Sequence, residues 1–297
     1  MLIVIENENV KGTVDTFGGE LIGLTDGNID YLWSGDEKFW IGRSPHLFPV
    51  IGTLKNNELA TENQIYNIGK HGFLRNCKFS IYKKTNDSVI LYFKCNEETR
   101  KMYPYDFTFY VTHSLTQKGV VTSYKVVNED NKDIFFNLGG HVGVKCPLLL
   151  GETFGDYEIN FSKPLTNGVY FPEDDDPIKR ESIVPFFHDC SRFHLSHDYF
   201  SKGPMIIDGI EAKSLILKSN KSSIGIKFTY EDFPVLALWT FGNKKAPYIC
   251  LEPWHGLPAM EDDHKEFSKK IYIIKLKPGE SKRITYKIDI IKSKCCV

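Results

Sequence analysis

The chain has 297 residues, 41% of them hydrophobic and 25% charged, with a formal net charge of −1. That is ordinary globular composition with ample length for a sizeable core, and near-neutrality without a basic block argues against a nucleic-acid partner. The 21 Phe and 15 Tyr favour strands. The opening Met1-Leu-Ile-Val-Ile-Glu-Asn-Glu-Asn lacks the basic region and the apolar length of a signal peptide, and no stretch is long enough to span a membrane. Seven cysteines with no CxxC pair are read as reduced thiols, which predicts a cytoplasmic protein. Two of them, Cys295 and Cys296, sit in the C-terminal tail.

Short apolar runs open the chain at Leu2 to Ile5, Lys11 to Val14 and Gly18 to Leu24. The Asp26-Gly27-Asn28 turn then leads to a strand expected over Ile29 to Trp33. In Arg43-Ser-Pro-His-Leu-Phe-Pro-Val-Ile-Gly two prolines bracket an apolar segment and exclude a helix. Gly69-Lys70-His71-Gly72-Phe73 sets a histidine beside glycines, where backbone and ligand can approach closely. Ser88 to Cys95 reads as a strand, and Phe107, Phe109 and Val111 alternate with polar residues before the Gln117-Lys118-Gly119 turn into Val120 to Val127. This predicts an antiparallel hairpin. Glu97 to Tyr103 is a candidate helical turn. Ile134 to Leu138 delivers His141 through Gly139-Gly140, and an imidazole of ordinary pKa both gives and takes protons near neutrality.

The acidic run Glu173 to Asp176 reads as a solvated loop without calcium-loop spacing. His188, Cys190, His194 and His197 match no standard zinc spacing. Short strands recur to the end, over Ser214 to Leu217, Ser223 to Thr229, Val235 to Phe241, Tyr248 to Leu251, Ile271 to Leu276 and Arg283 to Ile291. Turn punctuation at this interval, with no linker or repeat, predicts an all-β sandwich or barrel in one domain, residues 1–297. In Ala246-Pro-Tyr-Ile-Cys-Leu-Glu-Pro-Trp-His-Gly256, a buried strand runs into Glu252, and Pro253 is expected to end it. A carboxylate there, beside an indole and an imidazole, suits a polar ligand with apolar faces, such as a sugar. Partial desolvation would raise its pKa and its usefulness as a base.

Four stretches, in this order, resemble the aldose 1-epimerase (galactose mutarotase-like) family, and most closely its LacX-like branch. They are Arg43-Ser-Pro-His-Leu-Phe-Pro-Val-Ile-Gly, His71-Gly-Phe-Leu-Arg75, Asn137-Leu-Gly-Gly-His141 and Cys250-Leu-Glu-Pro-Trp-His-Gly256. The resemblance implies a large antiparallel β-sandwich, the galactose mutarotase-like supersandwich, with few short helices and an open sugar cleft. It implies a mutarotase that interconverts α and β anomers of an aldohexose or hexose phosphate, with Glu252 as general base and His141 as general acid. It further implies that Arg43, His71, Trp239 and Trp254 line the substrate site, without cofactor or metal. A small sugar is then the partner, with no nucleic acid or membrane, and a homodimer is left open. The family's hydroxyl-binding aspartate has no clear counterpart, Asp198 and Asp208 being the candidates. The rival reading within the same fold is a non-catalytic carbohydrate-binding protein.

Overall fold

The structure is a computed structural model describing residues 1–172 and 176–292. Glu173, Asp174 and Asp175 of the acidic run, and Cys295 and Cys296, lie outside the described residues.

Two antiparallel sheets carry the architecture. The larger has nine strands in the order Cys190–His194, Tyr157–Leu165, Ser214–Ser219, Gly225–Thr229, Ser281–Ile291, Gly119–Asn128, Phe107–Thr116, Ser88–Lys94 and Ser80–Lys84. The smaller runs Met205–Ile207, Val235–Trp239, Tyr248–His255, Leu138–Gly140 and His46–Leu47, with Val142–Lys145 also paired to Tyr248–His255. A three-stranded sheet of Leu2–Glu6, Lys11–Asp15 and Leu21–Thr25 packs against the same core. Among the described residues the only α-helix is Glu97–Arg100, capped by the Asn96 side chain on the Thr99 N–H. The all-β sandwich expected from the sequence is therefore observed. The predicted hairpin is present with Gly119 opposite Thr116 and Asn128 opposite Phe107.

Strand periodicity of two decides which face of the smaller sheet is core. Leu138, Val142, Val144, Leu236, Leu238, Ile249 and Leu251 point into the interior and meet Phe107, Phe109, Val120, Tyr124, Ile284 and Tyr286 from the larger sheet. The alternate residues, Ala237 and Trp239, Cys250, Glu252 and Trp254, and His141, lie on the opposite face. Two smaller clusters flank that face. One holds Leu47, Ile51, Ile178, Ile206, Ala237 and Trp254; the other holds Trp33, Tyr248 and Cys250, packed with Trp40 and Trp239. The smaller sheet thus has a mainly apolar inner face, on which the buried His46 is bonded to the Tyr124 hydroxyl, and an outer face on which polar groups are set among tryptophans.

Two local expectations are corrected. Pro253 does not end its strand: Tyr248–His255 continues through it, with Leu236 opposite Pro253 on one side. The missing N–H is accommodated on the other side, where the ladder is interrupted between Leu138–Gly140 and Val142–Lys145. Ile29 to Trp33 forms isolated bridges, Asp30 with Thr25 and Leu32 with Val144, instead of a strand, because Trp33 folds outward into the aromatic cluster.

Leu238 faces the core while its neighbour Trp239 faces outward. Leu238→Ala is expected to cost about 2–5 kcal/mol, the range for emptying a packed leucine site, read from the denaturant midpoint. A loss below about 1 kcal/mol would contradict this assignment of faces.

Candidate active site

The site is built on one cross-strand register. Gly139 pairs with Trp254 and Val142 with Leu251. Both stretches keep the same register, so His141 falls directly opposite Glu252. This brings the His141 Nε2 to 3.2 Å from the Glu252 Oε2, as close cross-strand pairs require. The glycines on either side of His141 on that face give room for two indoles. A Cβ at Gly139 would sit 2.8 Å from Trp254, and one at Gly143 would sit 3.2 Å from Trp40 and 2.9 Å from Trp33. Trp40 accordingly lies over His141, with ring centroids 4.8 Å apart and planes at 31°. Trp239 meets the imidazole edge-on at 5.7 Å.

His71 approaches from a second direction, its ring centroid 5.9 Å from that of His141 and 6.4 Å from Trp254. It has a left-handed backbone, φ 63°, next to Gly72 at φ 71°. Glycine is required at 72, because a Cβ there would lie 2.0 Å from the Phe48 carbonyl oxygen. The Gly52 N–H donates to His71 Nδ1 at 3.0 Å. The neutral ring must therefore carry its proton on Nε2.

These side chains line a cleft of about 250 Å³ whose walls include Trp40, Lys70, His71, Arg75, His141, Trp239, Glu252 and Trp254. Four groups expected at the site from sequence, besides Glu252 and His141, can now be located. His71, Trp239 and Trp254 border the cleft. Arg43 does not: its Nε donates to the Ser34 carbonyl at 2.8 Å, and its side chain borders an adjoining depression that shares the walls Trp40 and Arg75 with the cleft. The physical reason is the backbone, because the Arg43 carbonyl accepts the Gly143 N–H at 2.7 Å and fixes this segment at the sheet's end. Arg75 lines the cleft in its place, on the short turn Leu74–Asn76, its Nη2 donating to the Lys70 carbonyl at 2.9 Å. Its signal was in the His71-to-Arg75 stretch. Trp40 was not anticipated, since nothing in a Gly-bounded loop shows that its ring folds back.

Neither candidate aspartate lines the cleft. Asp208 accepts the Tyr272 hydroxyl at 2.9 Å, and Asp198 is exposed on the turn His197–Phe200. The histidines of the 188–197 segment diverge: His197 bonds the Ala246 carbonyl and stacks on Phe154, whereas His194 lies 3.9 Å from Glu158.

Burial sets the electrostatics. Desolvation holds the Glu252 carboxyl well above the usual carboxylate range, opposed by the nearby Lys70 ammonium and by the Trp254 indole. The indole N–H does not reach full hydrogen-bond geometry. Desolvation pushes the His141 imidazole down to about 3, aided by the positive charges of Arg75 and Lys70, and its Nδ1 has no protein partner. His71 is likewise held well below an ordinary histidine, by burial first and then by His141 and the same two cations. The site disfavours charge on its titratable groups.

A profile of the family described as aldose 1-epimerase matches residues 1–289. The chain belongs to the aldose 1-epimerase family. It is 31% identical over 300 residues to a protein named LacX from Lactococcus lactis subsp. lactis, covering 98% of this chain and all of that one. Among solved structures it resembles a galactose mutarotase related enzyme from Lactobacillus acidophilus, with TM-score 0.93 and 27% identity over 99% of both chains. It also resembles a galactose mutarotase-like protein from Lactobacillus casei, with TM-score 0.88 and 29% identity over 98% of this chain and all of that one. Family membership supports an isomerase-type enzyme acting on small sugars.

The depressed histidines carry a definite sign. In the unfolded chain an imidazole takes up a proton below about 6.5, whereas native His141 does so only near 3. Between those values the unfolded state binds more protons, so the contribution of His141 to stability is lost as pH falls. Glu252, raised in the native state, contributes in the opposite sense, losing stability as pH rises through its native value. Imidazole NMR signals of His71 and His141 are expected to report neutral rings at pH about 5.5, where an ordinary histidine is mostly charged. Charged rings at that pH would contradict the burial argument.

Proposed function

We propose that this chain is a mutarotase that interconverts the α and β anomers of an aldohexose or hexose phosphate, with Glu252 and His141 as its proton-transfer pair. The observation that carries the reading is their 3.2 Å contact in the wall of a small-molecule cleft. Anomer exchange takes a proton from the C1 hydroxyl and places one on the ring oxygen. The ring opens to an aldehyde, the C1–C2 bond turns, and the ring closes on the other face. One base and one acid suffice, each typically worth about 10²–10⁴-fold.

The pair works with one proton between its two members. The resting pair is neutral, and a proton passed from Glu252 to His141 across their 3.2 Å contact forms the reactive ion pair. With a closed ring bound, the Glu252 carboxylate then accepts the C1 hydroxyl proton while the His141 imidazolium donates to the ring oxygen. Ring opening converts this ion pair into a carboxylic acid and a neutral imidazole. Burial favours that change, because both groups lose charge in a site that disfavours charge. Ring closure runs the same transfers backwards and restores the pair. Lys70 acts to keep the carboxylate accessible.

The other walls have corresponding roles. His71, held with its proton on Nε2, donates a hydrogen bond to a sugar oxygen. Arg75 takes the substrate-binding place expected from sequence of Arg43. Trp40, Trp239 and Trp254 provide apolar faces for C–H surfaces of the ring. Hydrolysis would need a second carboxylate across the scissile bond; Asp176 also lines the cleft, but the group in contact with Glu252 is the His141 imidazole.

Freshly dissolved α-D-glucose, α-D-galactose and their phosphates, followed by polarimetry, are expected to relax faster with the protein than in buffer for at least one sugar. Binding of a sugar without acceleration of any would favour the non-catalytic carbohydrate-binding reading.

A further inference from the structure

Cys250 has no part in the chemistry above, yet it stands two residues before Glu252 on the same face of the strand Tyr248–His255. Its cross-strand neighbours are Gly143 and Trp239. One ligand atom each from His141, Cys250 and Glu252 lies within 4.8 Å of the other two. We propose that these three side chains form a binding site for a thiophilic divalent metal ion, of which Zn²⁺ is the best match, and that the ion inhibits the protein. The inhibitory part rests on the proposed mutarotase reading; the metal site does not.

The donor set is the first argument. Imidazole nitrogen, thiolate sulfur and carboxylate oxygen are the three ligand types of protein-bound zinc, and a cysteine in the set selects against magnesium and calcium. Geometry is the second. Zinc bonds to nitrogen and oxygen of about 2.0–2.2 Å give a tetrahedral N···O edge of roughly 3.3 Å. The His141 Nε2–Glu252 Oε2 separation is 3.2 Å, so two ligands already stand at the spacing the ion needs. The sulfur edge for a Zn–S bond of about 2.3 Å is roughly 3.6 Å. The sulfur lies within 4.8 Å of both other donor atoms, so an approach of at most about 1 Å by the thiol completes three-fold ligation.

The surroundings are the third argument. Gly143 presents no side chain beside Cys250, and the aromatic cluster of Trp33, Tyr248, Trp40 and Trp239 excludes other polar ligands from the sulfur. Among the described residues this is the only group of three such side chains with converging donor atoms. His141 and Glu252 border the cleft, so an ion entering there leaves its fourth position toward the cleft, open to water or a sugar hydroxyl. On binding, the cysteine thiol and the Glu252 carboxyl release their protons to solvent, and the ion takes the place of the proton shared with His141. Base and acid are then both occupied, and proton transfer stops.

The test uses the full chain carrying Cys295→Ser and Cys296→Ser, which removes the tail thiols as competing ligands. Cobalt(II) is added to the metal-free protein and the thiolate-to-cobalt charge-transfer absorption is recorded. A band saturating at one equivalent, bleached by Zn²⁺ and absent in Cys250→Ala, is the expected result. His141→Gln should keep the thiol but weaken Zn²⁺ binding by about tenfold or more, since even residues that only support metal ligands are worth roughly that much. This second variant preserves the test if Cys250→Ala does not fold. Stoichiometric Zn²⁺ should suppress mutarotation, and EDTA should restore it. Absence of the band, or its persistence in Cys250→Ala, would overturn the site. A band in a protein that accelerates no mutarotation would uphold the site and reject the proposed function instead.

Discussion

The arrangement depends on one cross-strand pair. His141 and Glu252 are far apart in sequence, and a single antiparallel register sets them face to face at 3.2 Å. A slip of one residue would move each side chain to the apolar side of its strand. The register is secured by that inner face, where Leu138, Val142, Ile249 and Leu251 are buried against the larger sheet. The core of the sandwich thus fixes the geometry of the outer face. Pro253 marks the place where the ladder opens, next to the pair, and the backbone irregularity coincides with the polar site.

The same construction explains the site's electrostatics. A face lined by Trp40, Trp239 and Trp254 removes water from the pair, so neither partner holds charge easily. In most of the molecule such burial would be a defect. Here a proton transfer that annihilates an ion pair gains from it; Lys70 at the cleft tempers the effect on Glu252, and Arg75 and Lys70 reinforce it on His141. Two further histidines show the contrasting structural use of a buried imidazole. His46 and His113 both lie 2.9 Å from the Gly19 carbonyl through Nε2, and their Nδ1 atoms meet Tyr124 and Thr122 hydroxyls at 3.0 Å. Their donors and acceptors are all matched within the protein, whereas His141 keeps an unpartnered Nδ1 beside the cleft.

Much of this was legible in the sequence, for physical reasons that also mark the limit. Alternation in Phe107 to Thr116 and the turn that follows reveal a hairpin because period-two burial leaves a local trace. The strand before Glu252 was visible, but its continuation through Pro253 was not, since that depends on a gap in a partner strand far earlier in the chain. His71, His141, Trp254 and Glu252, which share the cleft, stand in the ordered motifs, and Trp239 was named from the resemblance alone. Arg43 is not among the walls of the cleft, because the motif fixes a backbone position while its side chain is turned to the Ser34 carbonyl. Trp40 left no trace, because the space that admits its ring is created by Gly143 on another strand.

The central claim is that Glu252 is the base of an anomer-exchanging pair, and Glu252→Gln measures it most directly. The amide keeps size and hydrogen-bonding capacity but cannot take the C1 proton. With the fold verified by circular dichroism, steady-state polarimetry on the best sugar substrate should show kcat reduced by about 10²-fold or more, with KM much less affected. A turnover within a few-fold of the unmodified protein would contradict the account.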